Sequence, residues 1–165
     1  MKAPPASPVE AAIAYLTPRR RFEQEVRAYL GRLGFTEPVV EEALVRLAEL
    51  GLVDDEETSR AWIRDRGRFA PRGRGLLRRE LARRGVSEET VEAAMAEEVP
   101  PETEADLALA VLEKSAGKWS GLTAPVARRR MWGALARRGF PPDAVREAIG
   151  RFAEARGFPD EGSND

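Results

Sequence analysis

Three stretches of the chain share one punctuation: Leu30-Gly31-Arg32-Leu33-Gly34-Phe35, Leu81-Ala82-Arg83-Arg84-Gly85-Val86 and Leu135-Ala136-Arg137-Arg138-Gly139-Phe140. Each reads Leu, three residues, Gly, then a large apolar side chain. Five residues beyond Phe35, Val86 and Phe140 stand Val40, Val91 and Val145; eight beyond stand Ala43, Ala94 and Ala148; nine beyond stand Leu44, Met95 and Ile149. Nine residues before them stand Val26, Leu77 and Met131. Matching apolar positions at fixed offsets mark an internal repeat, and a repeat of this length limits the fold to units that share neighbouring surfaces.

The physics of the unit follows from its spacing. Before the glycine, Phe22, Val26, Tyr29, Leu30 and Leu33 recur at helical intervals, as do Leu77 and Leu81, and Met131 and Leu135. Each set is one face of a helix. The glycine closes that helix in the left-handed conformation, and the following Phe or Val packs back against the cap. A second helix is expected from near Thr36, Ser87 and Pro141, with Val39, Val40, Ala43, Leu44, Leu47 and Leu50 as its stripe in the first copy.

A third helix precedes each hairpin. Pro18, Pro71 and Pro125 mark the joins, in settings such as Thr17-Pro18, where Thr caps and Pro takes the first helical position. Asp54 with Glu57, and Thr103 with Asp106, have the spacing of a cap and its reply. The expected fold is all-α: three tandem three-helix repeats at residues 8–53, 54–99 and 103–155, between disordered tails at 1–7 and 156–165. A unit of about 46 residues has a thin core of its own, so the repeats are expected to stack as an elongated, curved solenoid.

Composition narrows the chemistry. The 165 residues include no cysteine and no histidine, which excludes disulfides, thiolate nucleophiles, imidazole bases and the common zinc sites. No residue set has catalytic spacing, so the chain reads as a non-enzyme without a cofactor or metal. No apolar run reaches the roughly 18–20 residues of a membrane span, which favours a cytoplasmic protein.

The net charge of −1 conceals strong segregation. Between residues 66 and 84 lie eight arginines, Arg66, Arg68, Arg72, Arg74, Arg78, Arg79, Arg83 and Arg84, against one acid, Glu80. Residues 87–106 hold eight acids and no base. Smaller basic clusters occur at Arg19–Arg21 and at Arg128, Arg129 and Arg130 with Arg137 and Arg138. One reading is a solvated helix face paired with acids on the next helix, where an exposed pair is worth about 0–1 kcal/mol. The favoured reading for the clusters together, with the Pro71-Arg72-Gly73-Arg74-Gly75 loop, is a surface for phosphates or for an acidic protein groove.

The aromatic residues divide in the same way. Trp62 is expected in the core, Trp132 in the core or between units, and Trp119, in its Gly-flanked break, as an exposed partner anchor. Asp54 and Asp55 read as a helix cap in preference to a metal pair. Gly73 and Gly75 lack the Gly-Lys-Ser/Thr ending of a phosphate loop.

The runs Leu50-Gly51-Leu52-Val53-Asp54-Asp55-Glu56, Arg60-Ala61-Trp62-Ile63-Arg64-Asp65-Arg66, Pro71-Arg72-Gly73-Arg74 and Arg78-Arg79-Glu80-Leu81-Ala82-Arg83-Arg84-Gly85-Val86, closed by the third anchor at residues 135–140, resemble the bacterial regulatory protein family RecX, modulators of the recombinase RecA. The family usually has an aromatic residue where Thr58 stands. The resemblance spans roughly residues 8–155. It implies a monomeric protein that lies in the groove of the RecA filament on single-stranded DNA and inhibits its recombinase, ATPase and coprotease activities. The arginines and Trp119 would then contact RecA, the DNA within the filament, or both. The alternative from the residues alone is a stand-alone DNA-binding module, its arginines following phosphates and Trp119 or Trp132 stacking on bases.

Overall fold

The computed structural model describes residues 7–157, and it is helical with no strand among them. In chain order the helices are α1 Pro8–Leu16, α2 Glu23–Arg32, α3 Glu37–Glu49, α4 Asp55–Phe69, α5 Arg74–Ala82, α6 Glu88–Glu98, α7 Glu104–Lys114, α8 Ala124–Arg137 and α9 Pro142–Arg156. Single 3-10 turns stand before and after α7, at Pro101–Thr103 and Ala116–Lys118. The expected all-helical class and the three-helix repeats hold. The expected tails fall mostly at 1–6 and 158–165, outside the described residues. Ser7 belongs to the fold, because its hydroxyl accepts the Glu10 N–H at 3.1 Å and caps α1.

The repeated anchor behaves as its spacing requires. Gly34, Gly85 and Gly139 have φ of 91°, 80° and 82°. At each, the residue after the glycine donates its N–H back to the anchoring leucine carbonyl at 3.3 Å, from Phe35 to Leu30, Val86 to Leu81 and Phe140 to Leu135. That bond satisfies a terminal carbonyl and turns the chain into the next helix. In α3 the stripe is narrower than expected: Val40, Ala43, Leu44 and Leu47 are buried, whereas Val39 and Leu50 are exposed.

The helix starts differ from expectation at two of the three prolines. Only Pro125 sits in the first turn of its helix, α8. After Pro18 the chain continues to buried Phe22 before α2 begins, because the Glu25 carboxylate accepts the Phe22 N–H at 3.0 Å and fixes the cap there. After Pro71 the start moves to Arg74, for reasons given below. Asp54 caps its own helix, accepting the Glu57 N–H at 3.0 Å. Thr103 does not cap α7, because its hydroxyl donates to the Pro100 carbonyl at 2.7 Å and serves the 3-10 turn instead.

Two compact units account for the described chain. One runs to Trp62 and includes Glu80–Ala94; the other comprises Ile63–Arg79 and the chain from Met95 onward. In the first, Ala11, Ala12, Val26, Leu30, Val40, Ala43, Leu44, Leu47 and Val53 form a core where α1, α2 and α3 meet. Arg27 of α2 ties this bundle together at its surface, donating to Glu23 at 3.0 Å, to Glu37 at 2.6 Å and to Glu41. In the second, α7, α8 and α9 enclose Ala108, Leu112, Met131, Leu135, Val145, Ala148 and Phe152. Burying the valines, leucines, methionine and phenylalanine among these contributes about 1.5–3 kcal/mol each relative to exposure.

A carboxylate stitch recurs between successive repeats. Asp55, the first residue of α4, accepts the backbone N–H of Glu23, the first residue of α2, at 2.7 Å. Glu104, the first residue of α7, accepts the N–H of Arg74, the first residue of α5, also at 2.7 Å. The first helix of one repeat thus caps the second helix of the repeat before it, satisfying an orphan donor and placing negative charge at its positive end. Burial pushes both carboxyls above their usual range, and the donated N–H opposes the shift in each.

Candidate interaction surface

The arginines of the middle repeat do not share one environment. Arg66 and Arg68 are exposed on the last turn of α4; Arg78 and Arg79 are exposed on α5, and Arg83 just beyond it. Arg72, Arg74 and Arg84 are half-buried. Part of the segregated charge is matched locally, since Arg64 pairs with Glu98 of acidic α6.

The loop Pro71-Arg72-Gly73-Arg74-Gly75, expected as part of a binding surface, is instead a packing joint. The Gly73 N–H donates to the Arg138 carbonyl at 2.8 Å and the Gly75 N–H to the Gly139 carbonyl at 3.1 Å. A Cβ on Gly73 would lie 2.3 Å from the Gly139 carbonyl carbon, and one on Gly139 would lie 2.1 Å from the Leu76 nitrogen. Only glycine permits that approach of two backbones. This contact and Glu104 together begin α5 at Arg74 rather than at Pro71. Arg74 is turned inward by the same arrangement: its guanidinium donates to the carbonyls of Met95 at 3.1 Å and Val99 at 2.6 Å. α6 has no basic residue in its last turn, so Arg74 supplies the cation that its C-terminal carbonyls favour.

Arg84 is also engaged within the fold. It donates to the Glu80 carbonyl at 2.9 Å and lies 4.9 Å from the centre of the Trp62 ring. Trp62, expected in the core, is half-buried under that guanidinium, and Ile63 beside it is the buried residue. The first-repeat cluster precedes α2 and is partly spent: Arg19 pairs with Glu25 at 3.1 Å, and Arg21 stacks 3.8 Å from the centre of Tyr15, whose ring lies on Tyr29 at 4.0 Å.

In the third repeat the two tryptophans exchange their expected roles. Trp119 is 7% exposed and cannot be an external anchor. The turn at Ala116–Lys118 swings its indole inward, where it joins the core of α7, α8 and α9 and donates to the Leu112 carbonyl at 3.3 Å. Trp132 is 39% exposed, because one helical step past buried Met131 takes it roughly 100° off the apolar stripe. Trp132 lines a cavity of about 520 Å³ with Arg128, Arg129, Arg146, Ile149 and Gly150. Arg129, Arg130 and Arg137 are exposed, while Arg128 and Arg138 are half-buried.

Phe69, which the sequence reading passed over, is 84% exposed at the end of α4. It follows Arg66 and Arg68, which with Ile63, Arg72, Leu77, Val99 and Leu107 among others line a cleft of about 380 Å³. Helical phase carries the signal: Phe69 lies six residues, or roughly 240° around the helix, from buried Ile63.

Among the described residues no group of three or more acidic side chains is placed to hold a metal ion. None of the described helices is long and apolar enough to cross a membrane.

Comparison with known proteins places the whole arrangement. Models of the first, second and third three-helix domains of RecX match residues 9–47, 54–95 and 102–149. Regulatory protein RecX of Corynebacterium efficiens is 37% identical over 147 residues, covering 84% of this chain and 70% of that protein. Regulatory protein RecX of Mycobacterium sp. (strain JLS) is 37% identical over 148 residues, covering 85% and 80%. That of Prosthecochloris aestuarii is 34% identical, covering 84% and 88%. The crystal structure of RecX from Lactobacillus salivarius superposes with a TM-score of 0.82 at 20% identity over 89% of this chain and 95% of that one. A second RecX crystal structure gives a TM-score of 0.77 at 23% identity, over 87% and 70%. With three consecutive domain matches and relatives of this similarity along most of its length, the chain belongs to the RecX family of regulatory proteins.

Proposed function

We propose that the protein binds the RecA nucleoprotein filament and lowers its recombinase, ATPase and coprotease activities, acting in the cytoplasm as a non-enzymatic monomer. The observation that carries this reading is the family itself, whose members bear the name regulatory protein. The exposed guanidiniums of Arg66, Arg68, Arg78, Arg79, Arg83, Arg129, Arg130 and Arg137 support it, being suited to carboxylates and phosphates alike. Arg74, Arg84 and Trp119 have contacts within the fold, and this reading does not rest on them. Inhibition would follow from tighter binding to one filament state than to another, which shifts the population of states.

The test is a titration of the purified protein into RecA from the same organism, on single-stranded DNA with ATP. Falling ATP hydrolysis at or below stoichiometric amounts is expected. Hydrolysis that stays constant at a several-fold excess would overturn the reading.

A further inference from the structure

The groove of about 520 Å³ between α8 and α9 is lined by three guanidiniums, an indole and an isoleucine, with no carboxylate among them. Arg129 is exposed and pairs with no acid among the described residues. Arg146 pairs at 2.8 Å with Asp143 of its own helix, an exposed contact of little strength. A complement of opposite charge follows α9 directly. Residues 158–165, outside the described residues, contain Phe158 and the acids Asp160, Glu161 and Asp165, without a base. The side on which the chain leaves α9 is set by helical phase. Gly157 stands eleven residues after Arg146, or three turns and roughly 20°, so the two share one side of α9 with Gly150 between them. The φ of 66° at Gly157 closes the helix in the left-handed conformation and ends its forward run. Arg146 lies about 16 Å back along the axis, whereas eight extended residues span about 26–29 Å.

We infer that residues 158–165 turn back along α9 and cover this groove, with the carboxylates of Asp160 and Glu161 on Arg146 and Arg129 and the Phe158 ring beside Ile149. The order of residues suits that path. Phe158 and Pro159 carry no charge and come first, past exposed Glu154. Asp160 and Glu161 come three and four residues after Gly157, which brings them about 10–14 Å back, level with Gly150 and Ile149. A tethered segment meets its groove at high effective concentration, so weak contacts suffice. Exposed ion pairs are screened by salt and give way to stronger anions, which makes the cover displaceable. The contact stands apart from the filament reading; its consequence, that Arg129 is withheld from RecA until the segment is displaced, rests on that reading.

The chain has no cysteine, so Ser163→Cys carries one nitroxide label at a unique position. The experiment measures paramagnetic broadening of the Trp132 indole N–H signal in the full labelled chain, without RecA. Broadening is expected to be at least about twofold stronger than in the same chain carrying Asp160→Asn with Glu161→Gln, or carrying Arg129→Glu, and to fall similarly at about 1 M salt. Circular dichroism of both variants should match the parent. No broadening in the labelled parent overturns the inference, as does equal broadening in parent and variants. In the RecA ATPase titration, the unlabelled chain with Asp160→Asn and Glu161→Gln should reach half inhibition at a several-fold lower concentration than the parent. An unchanged half-inhibition point overturns the consequence for RecA. A parent that shows the broadening yet leaves ATP hydrolysis constant keeps the contact and loses the filament reading, so the two failures are separable.

Discussion

The carboxylate of Glu104 accepts the backbone N–H of Arg74 at 2.7 Å, joining the first residues of α7 and α5. Glu104 is only 5% exposed, so its removal leaves a poorly hydrated donor at the start of α5. Glu104→Ala is therefore expected to cost about 1–3 kcal/mol in chemical denaturation. Asp55→Ala, which removes the equivalent bond to Glu23, should fall in the same range.

The same group gives a pH dependence with a definite sign. Burial raises the folded-state carboxyl of Glu104 above its ordinary value of 4.5. Between that value and the raised one, the folded protein binds more protons than the unfolded chain, so this group's contribution to stability grows as pH falls. Protonation relieves the buried charge, and the gain levels off below pH 4.5. The Tm difference between the parent and Glu104→Gln should accordingly move in the parent's favour from pH 7.5 to pH 4.5. A difference that is flat, or that moves toward the Gln variant, would contradict the burial argument.

The glycine joint separates conformational strain from steric overlap. Gly34→Ala meets open space but forces a side chain to φ of 91°, a cost of order 1 kcal/mol. Gly139→Ala has the same strain and also drives its Cβ to within 2.1 Å of the Leu76 nitrogen. Gly139→Ala should be the more destabilised by at least about 2 kcal/mol, read from urea midpoints. Equal effects would mean that the joint yields easily.

Trp119 and Trp132 should separate cleanly in fluorescence. Trp119→Ala opens the core of α7, α8 and α9 and is expected to cost about 3–5 kcal/mol. Trp132→Ala should change stability by less than about 1 kcal/mol and remove most of the acrylamide-accessible emission.

Phe69→Ala should leave the Tm nearly unchanged, because the ring packs on little of its own chain. An aromatic side chain so placed among arginines has the character of an interface anchor. In the RecA ATPase titration, this variant is expected to need roughly tenfold more protein for half inhibition.

Much of the architecture was legible in the sequence because apolar side chains repeat at fixed offsets from Gly34, Gly85 and Gly139. Left-handed backbone at those glycines is a local requirement, and local requirements leave local marks. The pairing of Glu23 with Asp55, and of Arg74 with Glu104, left no such mark, because each joins residues about thirty positions apart. The same limit explains the misreading of Pro71-Arg72-Gly73-Arg74-Gly75. A glycine that admits a neighbouring backbone and a glycine that frees a loop look alike until the neighbour is known. Arg74 looked like its fellow arginines for the same reason, since its partners are the distant carbonyls of Met95 and Val99. For Trp132 and Phe69 the helical phase did hold the answer, and exposure follows from counting around α8 and α4.

The central claim, that outward arginines carry regulation of RecA, is tested most directly by charge reversal at positions the fold does not use. A variant with Arg68→Glu, Arg79→Glu and Arg83→Glu should keep its helical content and Tm within a few degrees. In the RecA ATPase titration it should need at least tenfold more protein than the parent for half inhibition, while the same three positions changed to Lys should retain most of the effect. Full inhibition by the folded Glu variant would contradict the account.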